Sequence, residues 1–436
     1  MKHQNKLWIY SLFVIFGLII FFVYRYVGSR LWGLTFPWNS FLFLPEDRFM
    51  DFFNINHMVA DFDPYADNSS YPPLALVFAY LFTKLIPGSA SKTAMEVRDD
   101  GMTGKVWLFI LYAVCLILIM IAVCRRVFKS LPRESSLSSK IMLLGTISLS
   151  ILCSAPVIYA LDRGNYLILC VLFLTLFCLY YDKNDYVAVL CLAVAASLKL
   201  FPILLFFVFF LGRKWKPLFV GLVTGGLSTI ICASILEGGL FRNMWRFARN
   251  IVGYSGGSDA FSSYYYRYAI GLRSFFGTAL IAIKSYIPEK AHITKLTLAA
   301  SALLLALVIV MCIWDKRPWR QIFYLSFLMI LVPTPSFYYN LAYLIGPIFL
   351  FLLKEDKEKF DILYLAGMCF LMIPTSYYFF IAHCSDATVL VGINCLLDPL
   401  VMCLLLAISF FELLHMRIHK KTSLHNRNNS IINEQV

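Results

Sequence analysis

Apolar runs recur along nearly the whole chain and are broken by short polar or basic segments. Many approach the roughly 20 residues that a helix needs to cross hydrocarbon. Read as spans, they fall at 7–27, 107–124, 141–160, 166–181, 186–198, 200–211, 217–236, 293–313, 319–333, 338–353, 361–381 and 390–413. In lipid the chain must satisfy its own backbone hydrogen bonds, so helices are the economical reading. The alternation expected of a membrane β-barrel is absent. The pattern therefore predicts an all-α polytopic membrane protein with about 12 transmembrane helices. Runs 186–198 and 200–211 are short and need tilt or partial crossing. Residues 7–27 exceed a signal-peptide core and end in Tyr24-Arg25-Tyr26, so they read as an uncleaved first span.

Composition agrees. Hydrophobic types make up 60% of the 436 residues and charged types 14%, against roughly a quarter in a soluble domain. Mean hydropathy is +0.74. A net charge of +13 would suggest nucleic acid in a soluble chain. Here Lys and Arg sit in the breaks between apolar runs and read as anchors beside anionic membrane lipids; no nucleic-acid partner is expected. The twelve cysteines lie mostly within apolar runs, without metal-binding spacing. They read as small buried residues, and neither a metal nor a cofactor is expected.

Charge placement sets the topology. With the N-terminus inside, the inside segments collect 21 Lys and Arg, whereas the short outside turns 161–165, 334–337 and 382–389 hold Arg163 alone. Both termini are then cytoplasmic. Residues 1–413 form a single multi-span domain, and 414–436 a polar cytoplasmic tail expected to be disordered. Runs 72–87 and 268–287 break the alternation. They are expected on the outer surface as interfacial or re-entrant helices, which leaves two large outer loops, 28–106 and 237–292. The Gly221/Gly225 spacing suits close helix packing but recurs by chance.

Five polar clusters fall on that outer side. In the first loop Glu46, Asp47, Arg48, Asp51, Asp61, Asp63 and Asp67 crowd near Tyr65 and Tyr71-Pro72-Pro73-Leu74. Asp63-Pro64 looks like a turn and Pro72 suits the first turn of a helix; Asp61 and Asp67 read as solvated. Asp51 lies between Phe49-Met50 and Phe52-Phe53, a setting that presses a carboxylate against the membrane surface, where it can act as a general base. The second cluster is Asp162-Arg163-Gly164-Asn165. It reads equally as a tight turn closed by an ion pair and as a functional site. The third is Lys199, a lone cation before Pro202; a phosphate at the outer surface would compensate it better than snorkelling. The fourth is Arg242, Arg246, Arg249-Asn250, Tyr264-Tyr265-Tyr266-Arg267 and Arg273. Outward arginines suit an anionic partner and tyrosines suit a sugar, although an interfacial aromatic belt has the same composition. The fifth, Val332-Pro333-Thr334-Pro335-Ser336-Phe337-Tyr338-Tyr339-Asn340, breaks an apolar run and exposes backbone that must line a cavity or cap a helical turn.

These features, in this order, resemble glycosyltransferase family 87. The resemblance runs over about residues 45 to 345 and rests on Asp51, Asp63-Pro64-Tyr65, Tyr71-Pro72-Pro73-Leu74, Gly164-Asn165, Leu198-Lys199-Leu200-Phe201-Pro202, Asn250 with Arg267, and the Pro333–Asn340 break. It implies a GT-C-type fold with interfacial helices in the first outer loop. It also implies transfer of mannose from a polyprenyl-phosphate donor to a lipid or glycan acceptor. One departure stands out. Where the family often carries His in the late break, this chain has Tyr338 and Tyr339.

The resemblance makes Asp51 the catalytic base of an inverting transfer at the outer face of the plasma membrane. Lys199, Arg163, Arg249 and Arg267 are candidates for the donor phosphate. Asp47, Arg48, Asp63, Tyr65, Tyr71, Asp162, Asn165, Asn250, Tyr338 and Tyr339 are candidates for the sugar and acceptor pockets. A cationic clamp would stand in for a divalent metal on a monophosphate leaving group. Two other classes are weighed. A transporter or flippase of lipid-linked sugars would show internal repeats and midplane charges, which are absent. A polysaccharide polymerase or ligase would carry its main outer loop late in the chain.

Overall fold

The computed structural model describes residues 3–30, 48–88, 91–256, 268–284, 290–356, 358–375, 379–383 and 388–433. The chain opens with α1 (His3–Arg30), then three short helices, α2 (Met50–Met58), α3 (Pro73–Thr83) and α4 (Ala94–Asp100). There follow α5 (Met102–Ser130), α6 (Leu137–Leu152), α7 (Ala155–Arg163), α8 (Leu167–Tyr180) and α9 (Asp185–Leu198). A 3₁₀ segment, Phe201–Leu205, leads into α10 (Phe206–Leu211), α11 (Trp215–Ile235) and α12 (Gly239–Gly256). Next come α13 (Leu272–Lys284), α14 (Lys290–Trp314) and α15 (Pro318–Leu331). A second 3₁₀ segment, Tyr338–Leu344, runs into α16 (Ile345–Leu353), followed by α17 (Asp361–Met372). A hairpin of β1 (Phe379–His383) and β2 (Thr388–Gly392) precedes α18 (Asn394–Asn433).

Among the described residues, stretches of α1, α5, α11, α14 and α18 are long and apolar enough to cross a membrane, and α6 with α7, bent by 45°, makes a sixth. The chain is an α-helical membrane protein, as the apolar pattern predicts. Several other expected spans are shorter. α8 and α9 have 14 residues each and reach only ~21 Å, less than the ~30 Å of a hydrocarbon core. α8 tolerates this because it is mostly buried, so neighbouring protein rather than lipid meets its backbone. The runs at 72–87 and 268–287 become α3 and α13, of 11 and 13 residues, too short to cross.

Two expectations are corrected. The span expected at 361–381 stops at Met372, and Phe379–His383 instead pairs antiparallel with Thr388–Gly392. A short apolar run does not by its periodicity distinguish strand from helix. The tail expected to be disordered from 414 is helical through Asn433.

The core sits on α8 and α15. α8 packs against α5, α9 and α16, and all residues of α15 from Arg320 to Leu331 are buried. α11 is peripheral; only Pro217, Gly221, Cys232 and Ala233 are buried along it. Gly221 brings α11 onto α9, since a Cβ there would stand 2.3 Å from Val189 Cγ2. Close backbone approach is the main source of helix adhesion where lipid removes the hydrophobic drive.

At one end of the bundle, segments from four parts of the chain are tied by ion pairs. Lys6 bonds Asp361 at 2.8 Å, and Lys354 reaches Asp361 at 2.7 Å and Glu358 at 3.0 Å. Arg317 reaches Asp315 at 2.7 Å and Glu358 at 3.3 Å, while the fully buried Arg320 pairs with Glu358 and, at 2.7 Å, with Glu412. Four cations thus face four carboxylates. All of these segments are ones that the Lys and Arg distribution assigns to a common side. Burial alone would push the Glu358 carboxyl up; Arg320, Lys354 and Arg317 outweigh it and hold Glu358 below the ordinary glutamate range.

Candidate active site

The opposite end is built on the turn after α7. Gly164 ends that helix with φ +68°, a left-handed cap that glycine adopts without strain. A Cβ there would lie 2.9 Å from the Phe49 carbonyl oxygen, so only glycine lets the segment around α2 dock. Phe49 N donates to the Asp162 carbonyl at 2.7 Å, and Phe52 stacks on Tyr166 with ring centroids 5.4 Å apart. Phe52 and Phe53 are buried, which turns Asp51, in the first turn of α2, toward the α7–α8 turn.

There Arg163 Nη2 donates to Asp51 Oδ1 at 2.6 Å and Asn165 Nδ2 donates to Asp51 Oδ2 at 2.7 Å. Asn165 is itself fixed. Its Oδ1 accepts from Leu167 N at 2.9 Å, and the Tyr112 hydroxyl lies 2.5 and 2.6 Å from the carbonyl oxygens of Ala160 and Asn165. The Asp51 side chain keeps 14% of its surface exposed, so the carboxylate is oriented but open.

Tyr71 links Asp51 to the neighbouring cleft. Its hydroxyl lies 3.5 Å from Asn165 Nδ2, and its ring lies 4.1 Å from Lys199 Nζ, a cation–π contact. Lys199, in the break between α9 and the 3₁₀ segment, has no carboxylate partner at ion-pair distance among the described residues. Burial pushes its ammonium down to about 8 against the opposing pull of Asp51. Burial, and then Asp51, push the Tyr71 phenol well above its ordinary range, which keeps it a neutral donor. The cleft encloses about 210 Å³ between Tyr71, Lys199, Tyr254, Tyr339, Asn340 and Tyr343.

A clamp holds the Tyr71 loop. Arg246 Nη1 donates to both Asp63 oxygens at 3.1 Å. Asn250 Nδ2 donates to the carbonyls of Tyr65 and Ser69 at 3.2 and 3.1 Å, and the Tyr65 hydroxyl donates to the Tyr71 carbonyl at 3.0 Å. α12 therefore fastens the segment between α2 and α3 beside the cleft.

The predicted residues thus divide. Asp51, Arg163, Asn165, Tyr71 and Lys199 come together, and Tyr339 lines the cleft beside them. Asp63, Tyr65 and Asn250 serve the clamp instead of lining the cleft. Asp162 is buried and offers its backbone carbonyl to Phe49, with Arg48 Nε 3.9 Å from its carboxylate. Tyr338 is buried, its hydroxyl donating to the Ile373 carbonyl and its ring packed on Tyr159. Arg163, expected at the donor phosphate, is engaged by Asp51. Arg249 is exposed on α12, about 200° around the helix from the cleft-lining Ile251, so it does not enter the cleft. Asp47 and Arg267 lie outside the described residues. Sequence reading missed Ser70, Tyr254 and Tyr343. Helical spacing flags one of them, Tyr254, four residues after Asn250 on α12.

The pattern of glycosyltransferase family 87 matches residues 70–335. The chain belongs to glycosyltransferase family 87 and is a membrane glycosyltransferase. The matched stretch takes in Tyr71, Arg163, Asn165, Lys199 and Asn250, whereas Asp51 precedes it and Tyr338 and Tyr339 follow it. No curated protein and no solved structure matches.

Proposed function

We propose that this glycosyltransferase moves a sugar, mannose by family resemblance, from a polyprenyl-phosphate donor to a hydroxyl of a lipid or glycan acceptor. The observation that carries the reading is the pairing of an oriented, open carboxylate with a carboxylate-free ammonium on either side of one tyrosine, Tyr71. Asp51 takes the acceptor proton as the hydroxyl oxygen bonds to C1. The bond from C1 to the phosphate oxygen breaks, its electron pair leaves with polyprenyl phosphate, and C1 inverts. The transition state has oxocarbenium character, as in other glycosyl transfer. Lys199 offsets the charge that develops on the leaving phosphate, and Arg163 and Asn165 hold Asp51 to the acceptor. Tyr71, Tyr254, Tyr339 and Tyr343 offer rings and hydroxyls to the sugar. With both termini cytoplasmic, the cleft opens at the outer face of the plasma membrane.

The test is transfer of radiolabelled mannose from synthetic polyprenyl-phosphate-mannose to membrane lipid extract, wild type beside Asp51→Asn. Incorporation by wild type and its loss in the variant are expected. Near-normal transfer by Asp51→Asn removes the base assignment. Failure of wild type with mannose, but success with another polyprenyl-phosphate sugar, corrects the sugar alone.

A further inference from the structure

A second cavity, of about 300 Å³, lies between α5 and α8 at their C-terminal ends. Its polar half is lined by Arg125, Arg126, Lys129 and Lys183, with Tyr180 beside them. Among the described residues no carboxylate lies within ion-pair distance of these four cations. The nearby acid Asp185 is engaged by Lys214 at 2.7 Å. In the cluster around Arg320, by contrast, four cations face four carboxylates.

The other half of the cavity is apolar. Going back along α5 from Arg125, the lining passes through Ile121 and Leu118, and going back along α8 from Lys183 it passes through Leu179, Leu176 and Leu172. These steps of three or four residues trace one stripe on each helix. The two stripes face each other and form a groove that is basic at one end and apolar along its length. Leu118 and Ile121 are nearly half exposed, so the groove opens sideways, where lipid surrounds the bundle.

We propose that this groove binds one anionic glycerophospholipid, its phosphate among the four cations and an acyl chain along the leucines. A free phosphate would leave the apolar half unused, and an acidic peptide would have to lie at hydrocarbon depth. Basic pockets between helices take acidic headgroups by the same physics. The site is separate from the transfer site: α8 carries Asn165 just before one end and Lys183 just after the other, ~20 Å away along the axis. The proposal holds whichever residue is the base.

The test uses the full chain, purified in detergent and examined by native mass spectrometry with phosphatidylglycerol, phosphatidylcholine or glycerol 3-phosphate. One retained phosphatidylglycerol is expected, with neither other ligand retained. Arg125→Gln/Arg126→Gln/Lys129→Gln is expected to weaken binding about 100-fold, and Arg125→Lys/Arg126→Lys/Lys129→Arg to keep it. Equal binding of phosphatidylcholine, retention of glycerol 3-phosphate, or unchanged binding by the neutral variant overturns the site. Displacement of phosphatidylglycerol by an equal concentration of polyprenyl monophosphate overturns the glycerophospholipid as occupant. Should the neutral variant not fold, as judged by helical circular dichroism, the discrimination by wild type among the ligands decides.

Discussion

The two ends of the bundle treat buried charge in opposite ways. Around Arg320, four cations and four carboxylates neutralise one another, and an arginine with no exposed surface has three carboxylate partners. Around Lys199 the nearest partner is the face of an aromatic ring, and the ammonium is pushed down to about 8. Desolvating a charge costs several kcal/mol unless a partner compensates. The paired end has met that cost internally and reads as a tie between segments. The cleft end leaves it unmet, which suits a group that awaits an anionic ligand. Asp51 stands between these cases. It is paired through both oxygens, yet its side chain stays partly exposed.

The comparison is sharpened first at Asp51. Asp51→Asn removes the base but keeps the side chain's shape, and transfer is expected to fall about 10²–10⁴-fold with the protein still eluting as a folded particle in gel filtration. A loss of the folded peak instead would make Asp51 a tie like those around Arg320. Arg320→Met is the converse. It takes one of three cations from Glu358 and leaves Glu412 with Arg317 Nη1 alone, 3.9 Å away, and a stability loss of about 3–5 kcal/mol is expected in thermal unfolding in detergent. The molecules that remain folded should keep their apparent KM for donor.

Smaller effects separate the ends further. Lys199→Met is expected to raise the donor KM about 10- to 100-fold without lowering the unfolding midpoint; an unchanged KM removes the phosphate role. Tyr71→Phe loses only the hydroxyl next to Asn165 and keeps the ring under Lys199, so a loss of about tenfold or less is expected, in kcat and not in donor KM.

Titration separates them last. Lys199 binds an anion in its charged form, so donor affinity should decline as pH rises through about 8. In the empty cleft the depressed value favours the neutral amine, so this group's destabilising effect is greatest below about 8 and fades toward the ordinary lysine value of ~10.4. Glu358 acts with the other sign. Its folded value is depressed, so its contribution is complete above the ordinary ~4.3 and is lost as pH falls through the depressed value. Unfolding midpoints and donor KM measured across pH 3–10 check both, and a donor KM flat from pH 7 to 9 would falsify the role given to Lys199.

Much of this was legible without coordinates. Apolar runs near 20 residues long signal the membrane, because lipid leaves the backbone no other partner. A carboxylate between aromatic pairs and a lysine in an apolar stretch signal themselves by their cost, and Asp51 and Lys199 do converge. What stayed hidden depended on partners far along the chain. Nothing local marks Asp63, Tyr65 and Asn250 as a clamp, since their contacts lie more than 180 residues apart. Arg249 differs from Arg246 only in the helix face it occupies. The hairpin at 379–392 and the early end of α17 are invisible for a related reason: hydropathy records that a run is apolar, not which backbone it adopts.

The sequence by itself determined the solvent this protein lives in, its helical class, its family and the rare charges worth watching. Burial costs are properties of residue types and can be read one position at a time. Only the tertiary structure decided which of those charges are neutralised and which are left waiting. That depends on distances between segments that the chain brings together only once it has folded.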